Sequence, residues 1–139
     1  MQKPLKILVV RFSSIGDIVL TSPVVRCLNN QLNSKVHFLT KSKYECIVRH
    51  NIFIEKIYTI ENSINDVISE LKLENYDYIV DLHNNIRSFR LKLLGVKTFK
   101  VCKESFKKSI YIKLGINLLS KDHVVDRYMK TIDFFSIKN

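Results

Sequence analysis

Leu5-Lys6-Ile7-Leu8-Val9-Val10-Arg11-Phe12-Ser13-Ser14-Ile15-Gly16-Asp17 is the stretch on which the fold turns. Residues 5–12 carry an unbroken apolar run across Ile7-Leu8-Val9-Val10, without the alternation of a strand that has one wet face. Such a run reads as a central parallel strand covered by helices on both faces. Ser13 to Asp17 then makes a tight connection into a helix whose face is drawn by Val24, Val25, Leu28 and Leu32 at helical spacing. Pro23 leaves two starts open for that helix: an early helical position behind Ser22, or a kink in a helix that begins near Gly16.

Downstream of this unit, short β-branched runs alternate with helical patterns, which is the sequence sign of βαβ units. Further strands are predicted over residues 36–40, 57–60, 78–82 and 98–101. A helix is predicted from Ser42 to His50, where Ser42 and Glu45 have capping-box spacing. Another is predicted through Ile64, Val67, Ile68 and Leu71 behind a Ser63 cap, and a third through Ile86, Phe89 and Leu93, stopped by Gly95. Ile110 and Leu114 belong to a later helical pattern, and Val124, Val125, Tyr128, Met129 and Ile132 form a last amphipathic segment. Right-handed crossovers among five parallel strands give an α/β, doubly wound, Rossmann-like sheet in the order 3-2-1-4-5. Its switch point, where ligands bind in such sheets, then brings Ser13–Asp17 beside Asp81–Arg90.

The 139 residues suffice for one domain with a substantial core and leave no room for two. Ile7–Val10 is too short for a signal-peptide core or a membrane span, so the expected compartment is the cytoplasm. Cys27, Cys46 and Cys102 are widely spaced with no C-x-x-C pair, which argues against a disulfide framework or a zinc site. No H-E-x-x-H or acidic cluster marks a metal, and His37, His50 and His123 read as separated strand, helix-end and loop residues; no metal and no cofactor are expected. Lys plus Arg outnumber Asp plus Glu by 23 to 13, a formal charge of +10, which fits either an anionic partner or a lysine-rich exterior. The basic residues gather at Lys97, Lys100 and Lys103 and at Lys107-Lys108 without forming the long block of a nucleic-acid arm, so no nucleic acid is expected.

The first loop offers the Ser13 and Ser14 hydroxyls, a Gly16 beside which a ligand can approach the backbone, and the Asp17 carboxylate. It is neither a G-x-G-x-x-G fingerprint nor a P-loop. Asp17 reads equally as a reactive carboxylate or as a helix cap. In the second loop, Asp81 is either functional or a turn cap, and His83 closes the strand. Arg87 and Arg90 are either forks for phosphate and sugar oxygens or solvated helix residues.

Residues 7–23, from Ile7-Leu8-Val9-Val10-Arg11-Phe12-Ser13-Ser14-Ile15-Gly16-Asp17 to Thr21-Ser22-Pro23, closely resemble the opening of the family 9 glycosyltransferases, the ADP-heptose:lipopolysaccharide heptosyltransferases. Phe38-Leu39-Thr40-Lys41, then residues 76–88 with Asp81-Leu82-His83-Asn84-Asn85-Ile86-Arg87-Ser88, and Val125-Asp126-Arg127-Tyr128 resemble the same family in the same order. The resemblance implies the amino-terminal half of a GT-B fold: residues 1–139 as the acceptor-side domain, with the nucleotide-sugar (donor) domain absent. It implies inverting, metal-independent transfer of a heptose from ADP-heptose to the lipopolysaccharide inner core, with Asp17 as the general base. Ser13, Ser14 and Gly16 would shape the loop, and Lys41, His83, Arg87 and Arg90 would contact the acceptor.

The implied partners are a lipid-linked core oligosaccharide, an ADP-sugar reached through the missing domain, and a peripheral contact with the inner membrane that the positive charge would favour. Little transfer by the chain alone is expected. The competing expectation is a non-catalytic or truncated module that binds an anionic glycan or lipid.

Overall fold

The computed structural model describes residues 2–102, 115 and 123–138. Five strands, β1 (Lys6–Val10), β2 (Lys35–Lys41), β3 (Lys56–Ile60), β4 (Tyr78–Asp81) and β5 (Thr98–Lys100), form one sheet in the order β3-β2-β1-β4-β5. Every pairing is parallel. The doubly wound order expected from the apolar runs is therefore the observed one. Val10 is opposite both Leu39 and Asp81, so the loops leaving β1 and β4 start side by side.

The sheet is buried on both faces because successive side chains point to opposite sides. Ile7, Val9, Phe38 and Val80 pack on one side with Val24, Val25 and Leu28 of α2 (Ser22–Leu32) and Tyr128 and Ile132 from the last helix. Leu8, Val10, Leu39 and Ile79 pack on the other side against Ile64, Val67, Leu71 and Leu91. That explains the unbroken apolar run of β1, whose residues Ile7 to Val10 are all fully buried.

Local winding departs from the sequence expectation in several places. The first crossover holds two helices: a short α1 (Ile15–Val19), then α2 with Pro23 in its first turn, where proline forfeits no helical hydrogen bond. After β2, a 3-10 turn (Ser42–Tyr44) precedes a single turn of α3 (Glu45–Val48), and the expected capping box does not form. The Ser42 hydroxyl donates instead to the Ile60 carbonyl of the neighbouring strand.

Ser63 does cap its segment, accepting from the Asn65 N–H. The winding there is 3-10 over Ile64–Asp66 and then α4 (Ile68–Leu73). Ile64, Val67 and Leu71 are buried as their spacing predicted, while Ile68 is only partly buried.

The segment after β4 is a larger correction. Ser88–Leu94 is a 3-10 helix ended by Gly95 at φ +64°. With three residues per turn, Ser88, Leu91 and Leu94 share a face, and Ser88 and Leu91 are the ones buried. Ile86, Phe89 and Leu93, the expected core face, are 87%, 53% and 64% exposed.

The last helix, α5 (Val124–Thr131), is amphipathic as predicted, and His123, expected in a loop, is its N-cap. Lys103, Lys107, Lys108, Ile110 and Leu114 lie outside the described residues.

At the amino end of the sheet, Glu74 ties the start of β1 to β3. Its carboxylate accepts from Lys6 Nζ at 2.9 Å, from Lys56 Nζ at 3.0 Å and from the Tyr58 hydroxyl. Beside it the buried His37 places Nδ1 2.9 Å from the Tyr76 hydroxyl and Nε2 3.2 Å from Glu55, which also pairs with Lys35.

Candidate functional site

The site at the carboxyl end of the sheet is organised by Arg11. Backbone pairing continues one residue past β1, with the Arg11 N–H donating to the Leu39 carbonyl. The side chain follows a fully apolar strand, so its cation needs partners close by. One guanidinium nitrogen donates to the Leu82 carbonyl at 2.7 Å and the other lies 2.9 Å from Asp17 Oδ2. The planar group stands 5.9 Å from the ring centre of the buried Tyr128. Arg11 thus ties the first loop, the β4 loop and α5 together, a use of both ends of the planar fork that a lysine would not reproduce.

Asp17 is the third residue of α1. The Ser14 hydroxyl donates to its Oδ2 at 2.9 Å and the Ser14 N–H at 3.2 Å, so the carboxylate does serve as a cap. All of these contacts, with that of Arg11, fall on Oδ2. Among the described residues Oδ1 accepts no hydrogen bond, and the side chain is 32% exposed.

Partial burial pushes the Asp17 carboxyl up, but the Ser14 hydrogen bonds and the Arg11 charge outweigh it and hold the group below its ordinary value. The carboxylate is therefore ionised at neutral pH, with one oxygen anchored and the other without a donor among the described residues. Capping and proton acceptance are compatible in this arrangement.

Ser14 spends its hydroxyl on Asp17, whereas Ser13 is half-buried in the same loop. Gly16 is exposed, and a Cβ there would meet nothing within 4 Å, so open space lies beside it and the fold itself does not require glycine.

His83 joins the first loop through Phe12: the two rings meet edge to face with centres 5.1 Å apart. Asp81 is fully buried, and its Oδ1 accepts from the backbone N–H groups of His83 and Asn84. That is the turn-cap reading of Asp81. Asn84 reaches across to the Val101 carbonyl, and Asn85 caps the 3-10 helix that follows.

Arg87 and Arg90 stand exposed on that helix, with no ion-pair partner among the described residues. Lys41 ends β2 on the other side of β1. The switch point therefore joins Ser14, Asp17 and His83 through Arg11 and Phe12, while no contact among the described residues links Lys41, Arg87 or Arg90 to Asp17.

Arg11 and Tyr128 are the contributors that residue-by-residue reading of the sequence did not single out. The available signal was an arginine directly after a buried strand, which must find a carboxylate or carbonyl nearby. Among the described residues no group of three or more His, Cys, Asp or Glu side chains is arranged to hold a metal ion. No helix among them is long and apolar enough to cross a membrane.

No family model matches the chain. It is 23% identical to lipopolysaccharide heptosyltransferase 1 of Campylobacter coli over 141 residues, covering 94% of this chain and 41% of that protein. The crystal structure of the glycosyl transferase family 9 from Veillonella parvula superposes with a TM-score of 0.73 at 19% identity, covering all of this chain and 44% of that one. The E. coli heptosyltransferase WaaC with ADP superposes at 0.64 with 17% identity, covering 91% of this chain and 46% of WaaC. The chain spans about two fifths of the length of the curated relative it matches. The chain is thus an α/β domain with the fold of one half of a family 9 glycosyltransferase structure, similar in sequence to part of a heptosyltransferase.

Proposed function

We propose that the chain is the acceptor-binding half of an inverting, metal-independent heptosyltransferase, with Asp17 as general base. The observation that carries this reading is the Asp17 carboxylate at the switch point, its Oδ2 clamped by Arg11 and Ser14 and its Oδ1 without a donor among the described residues. In the proposed step, an acceptor hydroxyl oxygen attacks the anomeric carbon of the donor heptose. The bond from that carbon to the diphosphate breaks, ADP leaves with the bonding pair, and the hydroxyl proton passes to Asp17 Oδ1.

A carboxylate held ionised by the Ser14 hydrogen bonds and by Arg11 is a weak base. It suits a step in which the hydroxyl becomes acidic only as its oxygen bonds to the electron-poor sugar carbon. His83 borders this position, while Ser13, Gly16, Lys41, Arg87 and Arg90 would meet core sugars and phosphates. The donor would be held by a separate nucleotide-sugar domain, and the setting would be the cytoplasmic face of the inner membrane.

The test is to combine the chain with a separately prepared donor domain of a family 9 enzyme and measure heptose transfer, together with an NMR titration of the chain with delipidated inner-core oligosaccharide. Amide shifts concentrated at 13–17 and 83–90, and transfer that Asp17→Ala lowers by about a hundredfold or more, are expected. Silent amides at millimolar oligosaccharide would sink the assignment.

The exposed Arg87 and Arg90, which have no ion-pair partner among the described residues, favour a second reading as a non-catalytic module for an anionic glycan or lipid. Oligosaccharide binding that persists with no transfer beside a competent donor domain would select it.

A further inference from the structure

The crossover from β4 to β5 contains no Asp or Glu from Leu82 to Cys102, yet holds Arg87, Arg90, Lys92, Lys97 and Lys100. Each of these cations is exposed, and none pairs with a carboxylate among the described residues. On the same short segment Ile86, Phe89 and Leu93 present large apolar side chains to solvent, an arrangement that a water-facing turn does not need. The cations and the apolar groups are intermixed: Lys92 Nζ stands 4.1 Å from the Phe89 ring centre and Lys100 Nζ 5.4 Å from it.

We propose that Ile86, Phe89 and Leu93, with Lys92 and Lys100 beside them, dock this chain on an anionic lipid surface. The apolar groups enter the boundary between headgroups and acyl chains, and the lysines lie along their sides with ammonium groups at headgroup level. Charge selects the occupant. A second copy of the chain would bring like charges together, and nucleic acid would gain nothing from the aliphatic Ile86 and Leu93, which offer bases no ring to stack on.

The segment leaves β4 directly after Leu82, whose carbonyl Arg11 holds, so docking brings the lipid surface to the border of the Asp17 site. The inference deepens the acceptor reading and takes its biological setting from it. Its test uses neither sugar nor transfer, so either can fail without the other.

The experiment is co-sedimentation of the full chain with vesicles of equal parts phosphatidylcholine and phosphatidylglycerol, against vesicles of phosphatidylcholine alone. Binding to the anionic vesicles only, weakening with added salt, is expected. Ile86→Ser with Phe89→Ser should reduce it by about tenfold or more, because the lost contacts are apolar. Lys92→Glu with Lys100→Glu should reduce it by a similar factor, about tenfold. Lys43→Glu with Lys72→Glu, the same change of net charge at exposed positions elsewhere, should leave most binding in place.

Circular dichroism checks that each variant is folded. No binding to either vesicle overturns the proposal, as does equal binding to both. Equal loss in the two charge-reversed variants with no effect of the serine variant also overturns it, since diffuse charge would then suffice. So does sedimentation showing a dimer that the serine variant dissolves, because the face would then belong to a second copy.

Discussion

At the amino end of the sheet Glu74 accepts from Lys6, Lys56 and Tyr58 and both of its oxygens are occupied, whereas at the carboxyl end Asp17 has its contacts on one oxygen and the other meets no donor among the described residues. Each carboxylate lies below its ordinary value. Hydrogen bonds from Tyr58, Lys6 and Lys56 hold Glu74 at about 2, while Ser14 and Arg11 overcome the effect of burial on Asp17. The two ends thus show different balances of the same forces. The amino end ties three strand starts and the β4 approach together with little left over for a ligand. The carboxyl end fixes the position of a carboxylate through Arg11 and Ser14 on one oxygen, and the loop after β4 beside it carries Arg87 and Arg90, which have no carboxylate partner among the described residues.

The contrast breaks most sharply at Asp17. In the combined assay, Asp17→Ala should lower transfer by about 10²- to 10⁴-fold, the usual contribution of a positioned base, with oligosaccharide binding changed far less. A smaller loss of transfer would move the carboxylate back to a purely capping role.

Glu74→Ala should instead act on stability. It strands Lys6, Lys56 and Tyr58, and urea unfolding should show a loss of about 2 kcal/mol, discounted for the solvent-exposed Lys56. The pH profile sharpens this. Glu74 binds its proton more weakly folded than unfolded, so its stabilisation is present above about 4.5 and is lost as pH falls towards about 2. His37 is shifted down by burial, against the pull of Glu55 and Glu74, so the unfolded chain takes up its proton first and stability begins to fall below about 6.5. Unfolding midpoints followed from neutral pH to pH 2 should decline in both windows, and Glu74→Ala should flatten the lower one.

Arg11→Met should raise the Asp17 pKa, read from its carboxyl carbon by NMR, and lower stability by about 1–2 kcal/mol through loss of the link to the Leu82 carbonyl. An unmoved Asp17 titration would mean that Ser14 alone sets the carboxylate. The smallest effect is expected from Arg87→Ala with Arg90→Ala: stability within about 0.5 kcal/mol, because both are exposed, with oligosaccharide affinity reduced.

The strand order, the buried character of β1 and the pairing of the two loops were legible because they follow from short apolar runs and from the handedness of crossovers, which are local or generic. Gly95 and Ser63 were legible for the same reason, being local chain-end signals. Residues 42–50 were read as helical in the right place but with the wrong start, since Ser42 sits inside a 3-10 turn rather than at a cap and its hydroxyl is turned to the Ile60 carbonyl of the neighbouring strand. The face of residues 86–94 was misread because apolar spacing alone does not distinguish a 3.6-residue turn from a 3-residue one.

The sequence by itself determined the layered α/β architecture and put Asp17 at the mouth of the switch point, since burial on both faces of a strand is written in consecutive residues. Only the tertiary structure decided that Arg11 would reach Leu82, 71 positions away, that it would hold Asp17 by one oxygen, and that Phe89 would face outward. Those outcomes depend on register and packing between distant elements, where a charged group takes the partner that folding brings within reach and a side chain turns to whichever face its neighbours leave open.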